Sequence, residues 1–382
     1  MWNNWKVKQH LPQTKKRRMN KKIIIAGGGT GGHIFPAIAI ANALKEKQPG
    51  TEILFVGARG KMEMEKVPQA GYTIKGIDIA GFNRSSLMSN IGLPFKLVKS
   101  YFQVRSIVAD FMPDAVIGVG GYSSFPVLRF AQSKGIPAFI HESNSYAGKS
   151  NKLLAVKATK IFVASDGMEK FFPAAKIMIT GNPVRSSIVN SQITREEASR
   201  FFGLDPAKKT VLVTGGSLGA KGINEAIGLH INEFEKNELQ LIWQTGKPYA
   251  AMAKEITSGK ANVWASDFIA KMEMAYAAAD VVVSRSGAMS IAELCVAKKP
   301  VVFVPYPFAA EDHQTVNAQH LAGKQAGLMV KDSEAKEKLV PMIISLVKNE
   351  QQQQTLKENI AKLAITDADK RIAGEVLGWL VD

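Results

Sequence analysis

"KKIIIAGGGTGGHIFPAIAI", residues 21–40, holds paired lysines, a β-branched run, five glycines within six residues and then apolar residues at helical spacing. Residues 23–25 suit a buried parallel strand. Ile34, Ile38 and Ala41, with Ala37 and Leu44 beside them, form one apolar helical stripe. Glycines between strand and helix let backbone N–H groups approach a bulky anion. The helix start adds a partial positive charge worth roughly 0.3–1 kcal/mol per interaction. The same layout returns at "KKTVLVTGGSLGAKGINEAI", residues 208–227. Between them, 53–56, 115–119, 138–141 and 161–164 read as strands alternating with helices. The expected fold is α/β, two Rossmann-like doubly wound parallel-sheet domains facing a cleft, joined near "GNPVRSSIVN", residues 181–190.

Composition fits two globular cores: 382 residues, 46% hydrophobic and 21% charged. The net charge is +16, and Lys6, Lys8, Lys15, Lys16, Arg17 and Arg18 crowd the N-terminus. Such a surface suits nucleic acid, anionic lipid or a phosphorylated substrate, and does not choose among them. No helix-turn-helix, zinc or aromatic RNA-binding pattern supports the first. One cysteine, Cys295, excludes an internal disulfide and fits a reducing cytoplasm. Residues 1–18 read as an unstructured basic leader, with Met19 the expected true start. No run reaches the ~20 apolar residues of a membrane span.

Three kinds of glycine turn compete. A Walker A loop needs a Gly-Lys-Ser/Thr ending, absent from both turns. Gly27, Gly29 and Gly32 satisfy G-x-G-x-x-G, but the second strand leads into "LFVGARGKME". Arg59 there suits only the 2′-phosphate of an NADP-binding oxidoreductase. A sugar-nucleotide enzyme with paired lobes accounts for both turns. "ADVVVSRSGAMSIAELCVAKKPVVFVPYP", residues 279–307, favours it, since its turn offers N–H groups and the hydroxyls of Ser284 and Ser286 to a diphosphate. Glu293, two helical turns later among apolar neighbours, can accept two hydrogen bonds from a ribose diol, a contact worth about 1.5–3 kcal/mol.

"GGGTGGHIFPAIAIA", "GVGGYSSFPV", "HESNSYAG", "GNPVR", "TGGSLGAKGIN", "SRSGAMSIAE" and "EDHQTVNA" follow one another in the order seen in glycosyltransferase family 28. The chain resembles that family from about Lys21 to its C-terminus. The resemblance implies the GT-B fold and, as a reaction, inverting transfer of N-acetylglucosamine from UDP-GlcNAc to the 4-hydroxyl of MurNAc in undecaprenyl-diphosphoryl-MurNAc-pentapeptide. That step turns lipid I into lipid II in peptidoglycan synthesis. A UDP-N-acetylglucosamine epimerase is the alternative on the same frame. The implied organisation is an acceptor and membrane domain over 19–184 and a UDP-sugar domain over 185–365. A final helix near 366–382 packs back on the first domain.

By the same resemblance the donor site comprises Thr30, Gly31, Gly32, Asn144, Arg185, Ser217, Ile269, Ala288, Met289, Ser290, Glu293 and Gln314. Ile269 is expected to present backbone to uracil. Where some members carry a second Gln, this chain has Thr315. His33, Tyr122 and Asn224 are assigned to the acceptor. For the general base, His33 and Glu142 compete, the former with an ordinary pKa of about 6.5; each also has a structural reading, as phosphate orienter or as brace of "HESN". No cofactor and no metal is expected. The one Asp-x-Asp match, Asp367 and Asp369, precedes an apolar stripe and reads as a helix start. Expected partners are UDP-GlcNAc, lipid I, the cytoplasmic face of the bacterial plasma membrane and other cell-wall synthesis proteins. The membrane patch is placed in residues 91–108, where Phe95, Val98 and Phe102 share a helical face with Lys96, Lys99 and Arg105 interleaved.

Overall fold

The computed structural model describes residues 20–79, 93–216, 218–309 and 312–381, leaving aside the side chains of 93–97. The leader 1–18, Met19 and Ser217 therefore lie outside the described residues, as do the side chains of Phe95 and Lys96. The first lobe carries strands Lys22–Ala26 (β1), Glu52–Ala58 (β2), Thr73–Ile77 (β3), Ala115–Gly118 (β4), Ala138–Glu142 (β5), Lys160–Val163 (β6) and Ile177–Ile179 (β7). The second carries Thr210–Thr214 (β8), Gln240–Gln244 (β9), Val263–Ser266 (β10), Val281–Ser284 (β11), Val301–Phe303 (β12) and Leu328–Met329 (β13). The sheets run β3-β2-β1-β4-β5-β6-β7 and β10-β9-β8-β11-β12-β13. All pairings are parallel. The paired doubly wound sheets expected from the repeated glycine unit are present.

Both faces of each sheet are covered, so central strands are apolar along their whole length. Within β1, Ile24 joins one core layer while Ile23 and Ile25 join the opposite one. In β8, Val211 and Val213 likewise face away from Leu212. Strand β3 escaped the sequence reading because its sequence, TIKGI, is buried only at Ile77, as befits a sheet edge. Strand β7, at the other edge, has three residues.

Strand order reverses on either side of β1 and of β8, and ligands of doubly wound sheets sit at such switch points, beyond the carboxyl ends of the strands. The loops there are the two glycine turns, 119–123 and 285–287.

The helix Ala368–Trp379 packs against the helix Gly31–Lys47 of the first lobe. Ile372, Ala373 and Val376 are fully buried in the core layer that holds Ile34 and Ile40. Burial of each larger side chain contributes about 1.5–3 kcal/mol. The rim pairs Lys370–Glu46 (3.0 Å) and Lys160–Glu375 (3.6 Å) add little in comparison. Asp367 stands at the start of this helix, where its Oδ2 accepts from Arg371 Nε at 3.0 Å.

Candidate active site

A cleft of about 570 Å³ opens between the lobes. Twelve positions singled out in the sequence line it: Thr30, Gly31, Gly32, His33, Asn144, Arg185, Ile269, Ala288, Met289, Ser290, Glu293 and Gln314.

The first glycine loop gives three of its amides to neighbouring segments. Gly27 N–H donates to Val56 O, Gly28 N–H to Gly120 O and Gly29 N–H to Glu63 Oε2 at 2.8 Å. Gly28 (φ +148°) admits no side chain, because a Cβ would run into the Glu63 carboxylate, and Gly121 (φ +85°) would run into the Gly28 backbone. The loop is thus fixed from two sides. At the start of the helix Gly31–Lys47, Thr30 makes no side-chain cap, no acid occupies the first turn, and the amides of Gly31 and Gly32 have no intrahelical acceptor.

The second lobe presents a matching end. The helix Ala288–Ala297 begins after Gly287 with neither a side-chain cap nor an acidic first turn. The serine hydroxyls expected to face the diphosphate turn inward instead. Ser284 Oγ donates to Arg285 O (2.9 Å) and Ser286 Oγ to Gln314 O (2.8 Å). What this turn offers an anion is its amides, backed by a helix dipole equivalent to roughly half a positive charge. Gly215, Gly216 and Leu218, flanking Ser217, also line the cleft.

Arg185 and Glu293, read from the sequence as separate donor contacts, form one unit. Arg185 Nε and Nη2 each donate to a Glu293 oxygen at 3.0 Å, and Tyr276 Oη donates to Oε2 at 3.2 Å. The guanidinium lies 4.5 Å from the Phe35 ring centroid, so the pair also touches the first lobe. Burial, the largest single influence, would lower the Arg185 pKa, but the charge and hydrogen bonds of Glu293, with Tyr276 and Glu273, together turn the net direction upward. Burial and the same carboxylate hold the Tyr276 hydroxyl well above its ordinary value, which keeps it a donor.

His33 enters the cleft on the first turn of its helix, with Nδ1 buried and unpartnered. Burial lowers its pKa, opposed by Glu142, the backbone of Gly28 and Glu63. His141, behind it on β5, is pushed down to about 4 by burial and by His33.

Several expected roles change. Glu142, one of the two candidate bases, is 4% exposed and already accepts four hydrogen bonds. These come from Asn144 N and Nδ2 on Oε1 and from Gly148 N and Asn151 Nδ2 on Oε2. With its oxygens so engaged it braces the 143–151 loop and holds Asn144 at the cleft. Asn224, assigned to the acceptor, is 2% exposed; its Nδ2 donates to Thr245 O and its Oδ1 accepts from Trp243 Nε1, so it ties the helix Lys221–Leu229 to the end of β9 and does not line the cleft. The Ile269 N–H donates to Gln244 Oε1 at 3.0 Å, which leaves its carbonyl as the backbone group free for a base. Tyr122 is 52% exposed on the loop after β4, outside the cleft lining. Gln314 does line the cleft, and its Oε1 accepts from Tyr306 N at 3.0 Å.

The sequence reading missed Phe35, Glu63, Gln244, Tyr276 and Arg285. Each acts through a partner far along the chain; Arg285 Nη1 donates to Val304 O and Pro305 O and pairs with Asp332, holding the loop that carries Tyr306. The signal available for Glu63 was an acid placed shortly after a strand end, in "LFVGARGKME". Among the described residues, no three His, Cys, Asp or Glu side chains gather to hold a metal.

Residues 23–163 match the glycosyltransferase family 28 N-terminal domain, and residues 210–372 match its C-terminal domain. A curated relative from Phocaeicola vulgatus, the UDP-N-acetylglucosamine–N-acetylmuramyl-(pentapeptide) pyrophosphoryl-undecaprenol N-acetylglucosamine transferase, is 53% identical over 94% of this chain and 96% of its own length. The crystal structure of MurG from Acinetobacter baumannii superposes with a TM-score of 0.70 at 28% identity, covering 94% of this chain and 99% of that one. A UDP-GlcNAc 2-epimerase from Neisseria meningitidis gives a TM-score of 0.66 at 14% identity over 94% and 100% of the two chains, a likeness of fold alone. With the two domains matched in the order of the two lobes, and more than half of the residues shared with a relative along nearly the whole chain, this protein belongs to glycosyltransferase family 28.

Proposed function

We propose that the protein transfers N-acetylglucosamine from UDP-GlcNAc to the MurNAc 4-hydroxyl of undecaprenyl-diphosphoryl-MurNAc-pentapeptide, with inversion. The observation that carries this reading is one cleft holding a diol-sized carboxylate acceptor, Glu293, beside two uncapped helix starts, the complement of a nucleoside diphosphate. The donor and acceptor are those named for the 53%-identical relative. On donor binding the ribose diol takes the Glu293 oxygens that Arg185 now occupies, and the guanidinium turns to the diphosphate. As the anomeric C–O bond breaks, negative charge grows on the β-phosphate, where amides of Gly31, Gly32, Ala288 and Met289 receive it. A preorganised donor of this kind is worth about 2.7–4 kcal/mol. His33 takes the proton of the attacking hydroxyl from the opposite side.

Incubation with UDP-[14C]GlcNAc and a short-chain lipid I analogue is expected to give labelled disaccharide-lipid at an undiminished rate in EDTA. Release of UDP without acceptor would favour the epimerase, and loss of transfer in EDTA would show that amides and Arg185 do not suffice.

The acceptor is anchored in a bilayer, so we place this enzyme peripherally on the cytoplasmic membrane face. Among the described residues no helix is long and apolar enough to cross a membrane. On the helix Leu93–Phe111, Val104 and Val108 face the core, whereas Val98, Tyr101 and Phe102 are 59%, 44% and 58% exposed. Arg105 is exposed beside them, and Lys99 pairs with Asp78 at 2.8 Å. Leu153 and Val156, at the helix Lys149–Ala155 of the same lobe, are each 71% exposed. Cations at an anionic leaflet contribute about 1 kcal/mol each. Phe95→Asp and Phe102→Asp combined with Lys96→Gln, Lys99→Gln and Arg105→Gln are expected to weaken co-sedimentation with phosphatidylglycerol vesicles at least tenfold. Unchanged binding would place the docking face elsewhere.

A further inference from the structure

Glu63 opens the helix Glu63–Gln69 directly beneath the first glycine loop and is 1% exposed. Its Oε2 accepts from Gly29 N–H at 2.8 Å and its Oε1 from Ala58 N–H at 2.9 Å, joining the end of β2 to the loop that follows β1. Gly28 and Gly57 have no Cβ, and the carboxylate fills the room this leaves. No ion pair neutralises it among the described residues, although buried carboxylates are ordinarily paired. An apolar residue here would leave the Gly29 and Ala58 N–H groups without acceptors, so the carboxylate holds the loop in place. Its negative charge also lies behind a loop that opens toward anions, and a group placed to use it is His33, four residues past Gly29, whose Nδ1 is buried without a partner.

We propose that Glu63 is a positioning residue for transfer, holding the glycine loop so that the Gly31 and Gly32 amides face the cleft while its charge steadies the imidazolium His33 becomes on taking the acceptor proton. This rests on the reading of His33 as the base. Glu142 from β5 and Glu63 from its own helix both favour the protonated ring, His141 is the other titratable group packed behind it, and burial opposes them. Glu142 is the stronger of the two carboxylate influences but stands on β5, whereas Glu63 is the one hydrogen-bonded to the segment that carries His33.

The test is a histidine NMR titration of the full-length protein, with the His33 signal assigned by its loss in His33→Ala, run beside steady-state kinetics. Glu63→Gln is expected to lower the His33 midpoint and to move the acidic limb of the pH–rate profile down with it. Glu63→Asp, which keeps the charge but cannot reach both amides, is expected to leave the midpoint in place and still slow turnover several-fold. A midpoint that does not fall in Glu63→Gln overturns the proposal, as does a Glu63→Asp enzyme with wild-type rate. If Glu63→Gln fails to fold, Glu63→Asp decides by turnover, a wild-type rate overturning the proposal. Near-normal turnover in His33→Ala would instead remove the base assignment, and the midpoint comparison would still report whether Glu63 acts on the ring.

Discussion

Glu293→Gln is expected to cut kcat/KM for UDP-GlcNAc by about 100-fold or more, most of it as a raised KM. A carboxylate accepting from both ribose hydroxyls makes two charge-assisted hydrogen bonds, each worth about 1.5–3 kcal/mol. A glutamine retains one acceptor oxygen and turns an N–H₂ toward the other hydroxyl. The empty site changes too, since Arg185 loses its bidentate partner. Breaking a buried ion pair is destabilising by up to about 3–5 kcal/mol, so the variant needs a thermal melt beside the kinetics. The informative comparison is a 2′-deoxy donor. Wild-type enzyme should discriminate strongly against it and Glu293→Gln only weakly, because the group that reads the 2′-hydroxyl has gone. Equal discrimination by the two enzymes would show that Glu293 does not hold the ribose.

His33→Ala is expected to lower kcat by roughly 10²- to 10⁴-fold with little change in donor KM, the range of a lost general base. The sign of the pH dependence follows from the ring's surroundings. A base must be neutral to accept a proton, so the rate falls as pH drops through the His33 pKa. Burial, the largest influence, carries that pKa below the ordinary 6.5, while the neighbouring carboxylates limit the fall. The acidic limb of the wild-type profile should therefore lie below pH 6.5, and His33→Ala should be slow and flat across it. Glu142→Gln offers the contrast. Its four hydrogen bonds hold Asn144 and the loop behind it, so its loss should appear chiefly as a raised donor KM. A Glu142→Gln enzyme that loses kcat with its acidic limb, beside an active His33→Ala, would reverse the two roles.

Two glycine units in matching surroundings were enough to read the architecture, because strand, turn and helix are local patterns and the repeat itself implies a second lobe. The walls of the cleft were legible for the same reason: Gly31, Gly32, Ala288 and Met289 sit at helix starts, and a helix start is visible in sequence. What was hidden is what the side chains do once the lobes face each other. Arg185 and Glu293 are 108 positions apart, and no spacing rule connects them. The inward turn of Ser286 depends on Gln314, and the commitment of Asn224 on Trp243 and Thr245. Glutamates look alike in a string of letters. Glu63 and Glu142 are set apart from ordinary surface acids by burial and by the backbone and side-chain amides that the fold brings against them.

The helix Ala368–Trp379 ties the order of synthesis to the order of completion. The first lobe leaves the ribosome early, yet Ile372, Ala373 and Val376 of its core layer are translated last, after the whole second lobe. At ~5–20 residues per second, the roughly 200 residues between β7 and this helix take ~10–40 s. For that interval the groove on Gly31–Lys47 awaiting those side chains stays open, so the half of the enzyme made first is the half finished last.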